Sequence, residues 1–72
     1  LQVTQNPAAV LTGPIARGDV STVAKHLAAL PAAVIPAYCS LGLTTTSLAL
    51  ANGTIDENAA DELRNLIGGY YG

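Results

Sequence analysis

The residues best suited to chemistry lie close together near the start of the chain, between Thr12 and Asp19. Thr12 offers a hydroxyl group, and Gly13 and Gly18 leave room for a ligand to approach the backbone. Arg17 could hold a carboxylate or a phosphate through its planar guanidinium group. From the pattern alone, a ligand-binding loop and a plain helix connection with a surface contact between Arg17 and Asp19 are equally good interpretations.

A second candidate is His26, the single histidine of the chain. Histidine side chains are common general acids and bases, so this residue could serve as one. The sequence shows no partner for it. The favoured interpretation is a histidine at the edge of the apolar face of its helix, with one ring nitrogen bonded to the backbone. One histidine and the single Cys39 cannot build a zinc cluster, so we expect no metal site and no internal disulfide.

Three short motifs have simpler explanations than the functions they suggest. Residues 13–20 have the glycine spacing of a phosphate-binding loop, but Asp19 and Val20 stand where that motif needs Lys and Ser or Thr. The tripeptide 17–19 spells an integrin motif, which an N-cap at Asp19 already explains. The formal glycosylation sequence at residues 52–54 is interpreted as the end of a helix.

The composition restricts the kinds of partner. The 72-residue chain is 50% hydrophobic and 11% charged, with a net charge of -2. Its three basic residues form no patch, so we expect no nucleic-acid partner. So few charges predict that one face is covered by another domain or by a second copy of the chain.

The elements that position these residues are predicted to be helices. Hydrophobic spacing predicts four of them, near residues 7–11, 20–30, 35–51 and 57–67, and no strand. Asp19 and Asp56 are the predicted N-caps of the second and fourth helices. A break is expected at residues 12–14, and the glycine pair 68–69 is expected to end the last helix. The predicted fold class is therefore all-α, a small bundle of about four helices.

The third predicted helix is apolar on two sides. Leu41 and Leu48 share one face, and Leu43 and Leu50 share the opposite one. We expect the first pair to face the bundle and the second pair to join two copies of the chain. The uncharged stretch 27–55 is long enough for a membrane span, but its prolines, its polar residues and the absence of a basic residue after it favour a buried helix and no membrane partner.

Several of these segments together resemble one protein family. They are Asn6-Pro7, the run from Leu11 to Asp19, Thr22-Val23 and His26-Leu27. This pattern resembles the signature of a bacterial family, the domain of unknown function 2520, whose members are similar to ketopantoate reductases and 6-phosphogluconate dehydrogenases. The resemblance implies that residues 1–72 form one helical domain of the 6-phosphogluconate dehydrogenase C-terminal type, within a larger two-domain protein.

The resemblance also implies a function. It implies an NADP-dependent Rossmann-type oxidoreductase of unknown reaction, in which this chain is the domain on the substrate side and at the dimer interface. The single cysteine fits the reducing cytoplasm, so we expect a cytoplasmic protein. NADP would be held by an N-terminal Rossmann domain, so no cofactor is expected in this chain, and the isolated chain is not expected to be active. The alternative is a purely structural dimerisation module without a catalytic role.

The candidate site residues are the positions that match the signature. His26 is the candidate catalytic residue. The candidate substrate-binding residues are Thr12, Gly13, Arg17, Asp19 and Thr22. Pro14 and Gly18 complete the match, and the resemblance assigns no substrate to any of these positions.

Overall fold

The computed structural model describes residues 7–71, and it describes the surroundings of the side chains for residues 12–70. The described residues form four helices and their connections. The helices are α1 (Pro7–Ala16), α2 (Val20–Ala29), α3 (Ile35–Ala51) and α4 (Glu57–Tyr71). Both α2 and α3 pack against α1 and α4. No strand occurs in this range, which confirms the all-α prediction. None of the helices described combines the length and the apolar character needed to cross a bilayer.

The core is built from large side chains of all four helices, and α3 adds several small residues to it. Ile15 of α1, Val23 of α2, and Leu63 and Ile67 of α4 are completely buried. The buried residues of α3 are Tyr38, Cys39, Gly42, Thr46 and Ala49. The buried hydroxyl of Thr46 donates to the carbonyl of Gly42 at 2.8 Å, so it is not left unsatisfied.

Gly42 lies at the closest approach of α3 to its neighbours. A Cβ atom at this position would lie 3.0 Å from Cδ1 of Ile67 and 3.2 Å from Cδ1 of Ile15. Both distances are shorter than ordinary contacts between carbon atoms. The missing side chain therefore lets α3 pack directly on isoleucines from both α1 and α4.

Helix α1 runs through the break that the sequence predicts at residues 12–14. It continues to Ala16, so the expected end at residue 11 is wrong. Proline inside a helix removes a backbone donor and crowds the preceding turn. Here Pro14 is buried and Ile15 is completely buried in the core. Burial of this turn offsets the local preference against a helix.

Gly18, not the proline, ends α1. It has a φ of +71°. Its N–H donates to the carbonyl of Ile15 at 3.0 Å, and the N–H of Asp19 donates to the carbonyl of Pro14 at 2.8 Å. These two bonds form the Schellman pattern that closes a helix with a left-handed residue. A Cβ atom at Gly18 would lie 3.3 Å from Cγ2 of Ile55, so the α1–α2 turn packs on the α3–α4 connection.

The α3–α4 connection also bonds to the end of α1. The hydroxyl of Thr54 donates to the carbonyl of Ala16 at 3.0 Å and to that of Ala49 at 3.3 Å. Gly53 has a φ of +76° and follows the last turn of α3, which confirms the predicted end at residues 52–53. Thr54 thus joins the carboxyl ends of two helices, a structural role that supports the helix-end interpretation of residues 52–54.

Both predicted N-caps are confirmed. The carboxylate of Asp19 accepts the N–H of Thr22, and that of Asp56 accepts the N–H of Ala59 at 2.8 Å. The predicted end of α4 at residues 68–69 is wrong, since the helix continues to Tyr71. Neither of these glycines has a positive φ, and a helix tolerates an interior glycine at a cost of about 1 kcal/mol.

The structure reverses the predicted roles of the two leucine faces of α3. Leu43 and Leu50 are partly buried and pack on the core. Leu41 is 40% exposed and Leu48 is 58% exposed. The two faces exist as predicted, but the assignment of the inward face is wrong. A helical wheel shows which residues share a face, and the position of the neighbouring helices determines which face is covered.

Candidate functional site

The candidate residues lie in the α1–α2 turn and along one side of α2. Asp19, Thr22 and His26 are spaced i, i+3 and i+7, which places them on one face of the helix. All three side chains are half-buried. Since a helix rises 1.5 Å per residue, His26 lies about 10 Å from Asp19 along the helix axis. The structure therefore pairs Asp19 with Thr22, and His26 lies one turn beyond Thr22 on the same face of the helix.

Asp19 and Thr22 form a closed pair of hydrogen bonds. The hydroxyl of Thr22 donates to Oδ2 of Asp19 at 2.7 Å, and the N–H of Thr22 donates to Oδ1 at 3.3 Å. The hydroxyl bond, followed by the backbone bond, lowers the pKa of Asp19, with smaller contributions from the charges of Arg17 and Lys25. Because both carboxylate oxygens are already engaged, the contacts of this pair are those of a helix cap.

The lowered pKa of Asp19 predicts a change in stability with pH. The carboxylate is stabilised in the folded chain, so its contribution is complete above the ordinary pKa of 3.8 and is lost as the pH falls through the lower folded value. We expect Asp19→Asn, which keeps a capping side chain without the charge, to destabilise the chain more at pH 7 than at about pH 3. Urea unfolding of wild type and variant at both pH values measures this difference.

The control for this prediction is Glu62→Gln, which removes an exposed carboxylate of α4. We expect this substitution to change stability little at either pH, since an exposed charge away from a cap contributes little to folding. An equal effect of Asp19→Asn at pH 7 and at about pH 3 would show that the charge of Asp19 does not stabilise the cap.

Arg17 is exposed at the end of α1. A Cβ atom on Gly13 would lie 3.1 Å from Nη1 of Arg17, so the guanidinium lies over the backbone of the last turn, where Gly13 leaves space. A cation is favourable at this carboxyl end of a helix. The described residues contain no ion pair between Arg17 and Asp19. Thr12 is half-buried on the same helix. Arg17 thus presents a charge that an anionic group could bind.

His26 contacts a residue that the sequence did not single out. Its Nδ1 atom lies 3.3 Å from the hydroxyl of Tyr38 on α3. The two rings meet edge to face, with centroids 6.1 Å apart. Tyr38 is only 3% exposed, and its burial, followed by the nearby thiol of Cys39, raises its pKa. The expected backbone partner of His26 is therefore replaced by a side chain, twelve residues away in sequence.

The contact with Tyr38 determines what His26 can do. The hydroxyl of Tyr38 can donate to Nδ1 of His26 in the tautomer that carries the ring proton on Nε2. Within residues 12–70, Nδ1 is the ring nitrogen with a hydrogen-bond partner. In that tautomer, Nε2 can donate to an oxygen atom of a ligand.

Cys39 is not suited to nucleophilic chemistry. It is completely buried, its thiol lies 3.8 Å from the carbonyl of Ile67, and burial raises its pKa. A thiol that remains protonated is a weak nucleophile. The described part of the chain contains no group of three or more potential metal ligands and no pocket. Among the candidate residues, Arg17 is exposed and the others are half-buried.

One known protein family matches the part of the chain that carries the candidate residues. A family profile described as "Domain of unknown function (DUF2520)" matches residues 2–45. The match covers more than half of the 72-residue chain, and it includes every candidate site residue as well as Tyr38. Helix α4 lies beyond the matched range. No curated protein and no solved structure matches the chain.

Proposed function

Because the chain belongs to the family of the domain of unknown function DUF2520, we propose that it is the substrate-side helical domain of an NADP-dependent, Rossmann-type oxidoreductase. In this proposal the bundle packs beside a separate nucleotide-binding domain and contributes polar side chains to the substrate site. The observation that carries the proposal is the pair Arg17 and His26, whose guanidinium and Nε2 groups are not used by the cap and turn contacts around them.

The residues described do not fit a dinucleotide site of their own. A Rossmann site places the pyrophosphate at a glycine-rich turn between a strand and a helix. Residues 7–71 contain no strand, and so they contain no such turn. The cofactor would be bound by the other domain. The absence of a pocket within the described bundle agrees with a substrate site that is completed by a second domain.

In this proposal, the role of this chain is to bind and orient the substrate. Arg17 would form charge-assisted hydrogen bonds with a carboxylate or phosphate group. His26, held by Tyr38, would donate from Nε2 to a carbonyl oxygen. Asp19 and Thr22 hold each other as a helix cap, so the proposal assigns them the positioning of the turn that carries Arg17.

The cofactor part of the proposal is tested by calorimetry with NADPH. We expect no binding to residues 1–72 alone, because they lack the glycine-rich turn, and binding to the longer protein that carries the proposed Rossmann domain. Binding to residues 1–72 with a dissociation constant of about 1–10 μM would contradict the proposal, because it would place the nucleotide site in the helical chain.

The roles of the two side chains are tested in the longer protein with NADPH and a panel of 2-oxo acids. We expect His26→Ala to lower turnover by about 10²-fold or more and Arg17→Ala to raise the KM. Arg17→Ala should keep its melting temperature, whereas His26→Ala should lose some stability because the buried Tyr38 hydroxyl loses its partner, with a larger effect on turnover than on stability. Lys25→Ala, which removes an exposed cation of α2, is the control and should change neither quantity. If both site variants lose melting temperature and keep activity, the α1–α2 segment is structural.

A further inference from the structure

The contact between His26 and Tyr38 allows two arrangements of protons. In the first, the hydroxyl of Tyr38 donates to Nδ1 of His26, and the ring proton lies on Nε2. In the second, the ring proton lies on Nδ1 and is donated to the phenol oxygen of Tyr38. The distance of 3.3 Å between Nδ1 and that oxygen fits both. The two arrangements differ in the phenol proton, which has an acceptor in the first and loses it in the second.

The burial of Tyr38 decides between the two arrangements. The ordinary pKa of a tyrosine is 10.0, and burial raises the pKa of Tyr38 further, so the phenol carries its proton at neutral pH. Only 3% of Tyr38 is exposed, so water has little access to that proton. Among the residues that the structure describes, the hydrogen-bond partner of the hydroxyl is Nδ1 of His26. A buried donor that is left without an acceptor is costly.

We propose that Tyr38 is a positioning residue, which holds the ring proton of neutral His26 on Nε2 and so makes His26 a hydrogen-bond donor to the substrate. The hydrogen bond at one ring nitrogen of a histidine sets which nitrogen carries the proton. The cost of an unpaired phenol proton lowers the population of the second arrangement by a factor of about 5–150 relative to the first.

The two rings also fix the direction of the imidazole. His26 lies on α2 and Tyr38 on α3, and their rings meet edge to face with centroids 6.1 Å apart. Tyr38 is held in the core that the helices share. Because Nδ1 is directed at this fixed phenol, Nε2 points away from it and is left for a ligand. Tyr38 therefore acts on the substrate through His26 and does not touch it.

The position of the proton narrows the chemistry of His26. A neutral imidazole with its proton on Nε2 can donate a hydrogen bond from that atom but cannot accept a proton there. His26 therefore polarises an acceptor oxygen of the substrate, where negative charge develops during reduction of a carbonyl group. It does not act as a general base through Nε2. The identity of this oxygen rests on the proposed function, whereas the position of the proton does not.

NMR of residues 1–72 labelled with ¹⁵N at histidine tests the position of the proton. The chain contains one histidine, so its ring resonances are identified directly. At about pH 8.5, two units above the ordinary histidine pKa of about 6.5, we expect Nε2 to carry a directly bonded proton and Nδ1 to have the shift of an unprotonated nitrogen. In Tyr38→Phe, which keeps the ring and removes the hydroxyl, the ratio of the Nε2–H to the Nδ1–H tautomer should fall about fivefold or more.

The control is Tyr70→Phe, which removes the hydroxyl of an exposed tyrosine of α4. It should leave the His26 resonances unchanged, and circular dichroism checks that both variants keep their helices. A ring proton on Nδ1 in the wild type, or an unchanged tautomer ratio in a folded Tyr38→Phe chain, overturns the proposal. These spectra need neither NADPH nor substrate, so their outcome is independent of the assays of the proposed function.

Turnover of His26→Gln in the longer protein, with NADPH and the same 2-oxo acids, tests the donor role. The amide N–H of glutamine can replace the Nε2–H donor, but the amide cannot take up a proton as a base does. We expect His26→Gln to keep at least about 10-fold more turnover than His26→Ala. Equally low turnover of both variants would contradict the donor role. If His26→Ala keeps wild-type turnover, the proposed function fails, and the tautomer measured by NMR is unaffected.

Discussion

Replacing Leu63 by Ala is expected to lower the free energy of unfolding by about 2–5 kcal/mol, the usual cost of truncating a buried leucine. Leu63 is 0% exposed and lies on α4, in the core that all four helices share. The substitution removes apolar contacts and leaves a cavity that the surrounding helices fill only in part. A chain of 72 residues has a total stability of roughly 4–11 kcal/mol, so this loss is a large share of it.

Urea unfolding followed by circular dichroism measures the effect of Leu63→Ala. The control is Leu48→Ala, the same substitution at a side chain that is 58% exposed. We expect the control to change stability by less than about 0.5 kcal/mol. Similar losses from the two substitutions would mean that α4 does not pack in the core as described.

Replacing Gly42 by Val is expected to destabilise the chain by about 1–3 kcal/mol, the typical cost of overpacking a core. The new side chain would meet Ile67 and Ile15 at 3.0 and 3.2 Å through its Cβ atom alone. Both contacts are made by the Cδ1 ends of isoleucines that are completely buried, so any shift has to be absorbed within the core. Either these side chains leave their preferred rotamers or α3 moves away from α1 and α4, and both responses cost packing energy.

Gly68→Val in α4 is the matched control for Gly42→Val. A Cβ atom at Gly68 has no neighbour within 4 Å, and valine has a slightly better helix propensity than glycine. We therefore expect the control to leave the melting temperature unchanged or slightly raised. If Gly42→Val were equally harmless, α3 could not lie as close to its neighbours as the structure places it.

Much of the local structure could be predicted from the sequence because its causes lie within a few residues. Asp19 and Asp56 cap helices through N–H groups three residues later, and Gly53 ends α3 through backbone bonds of the same turn. The helix ends that the sequence wrongly predicts at residues 12–14 and 68–69 have one origin. Glycine and proline preferences of about 1–3 kcal/mol are outweighed in α1 by burial in the core, and in α4 they are too small to end the helix.

The candidate site also contains one contact that the sequence could predict and one that it could not. The pairing of Asp19 with Thr22 follows from helix spacing and a known capping preference. The contact of His26 with Tyr38 joins two helices, and no local pattern indicates it. The available signal was general: a buried tyrosine needs a partner for its hydroxyl, and the chain has one histidine.

The residue pattern by itself determined that this chain forms helices, where all four begin, and which residues share a face, since these depend on spacing and capping along the backbone. It also carried the family signature, which the profile match supports. The direction in which α3 faces was decided by packing. Gly42 allows the close approach of Ile15 and Ile67, and this approach buries the side of α3 flanked by Leu43 and Leu50 and leaves Leu41 and Leu48 in water. That choice depends on contacts between residues far apart in the chain, which a helical pattern does not encode.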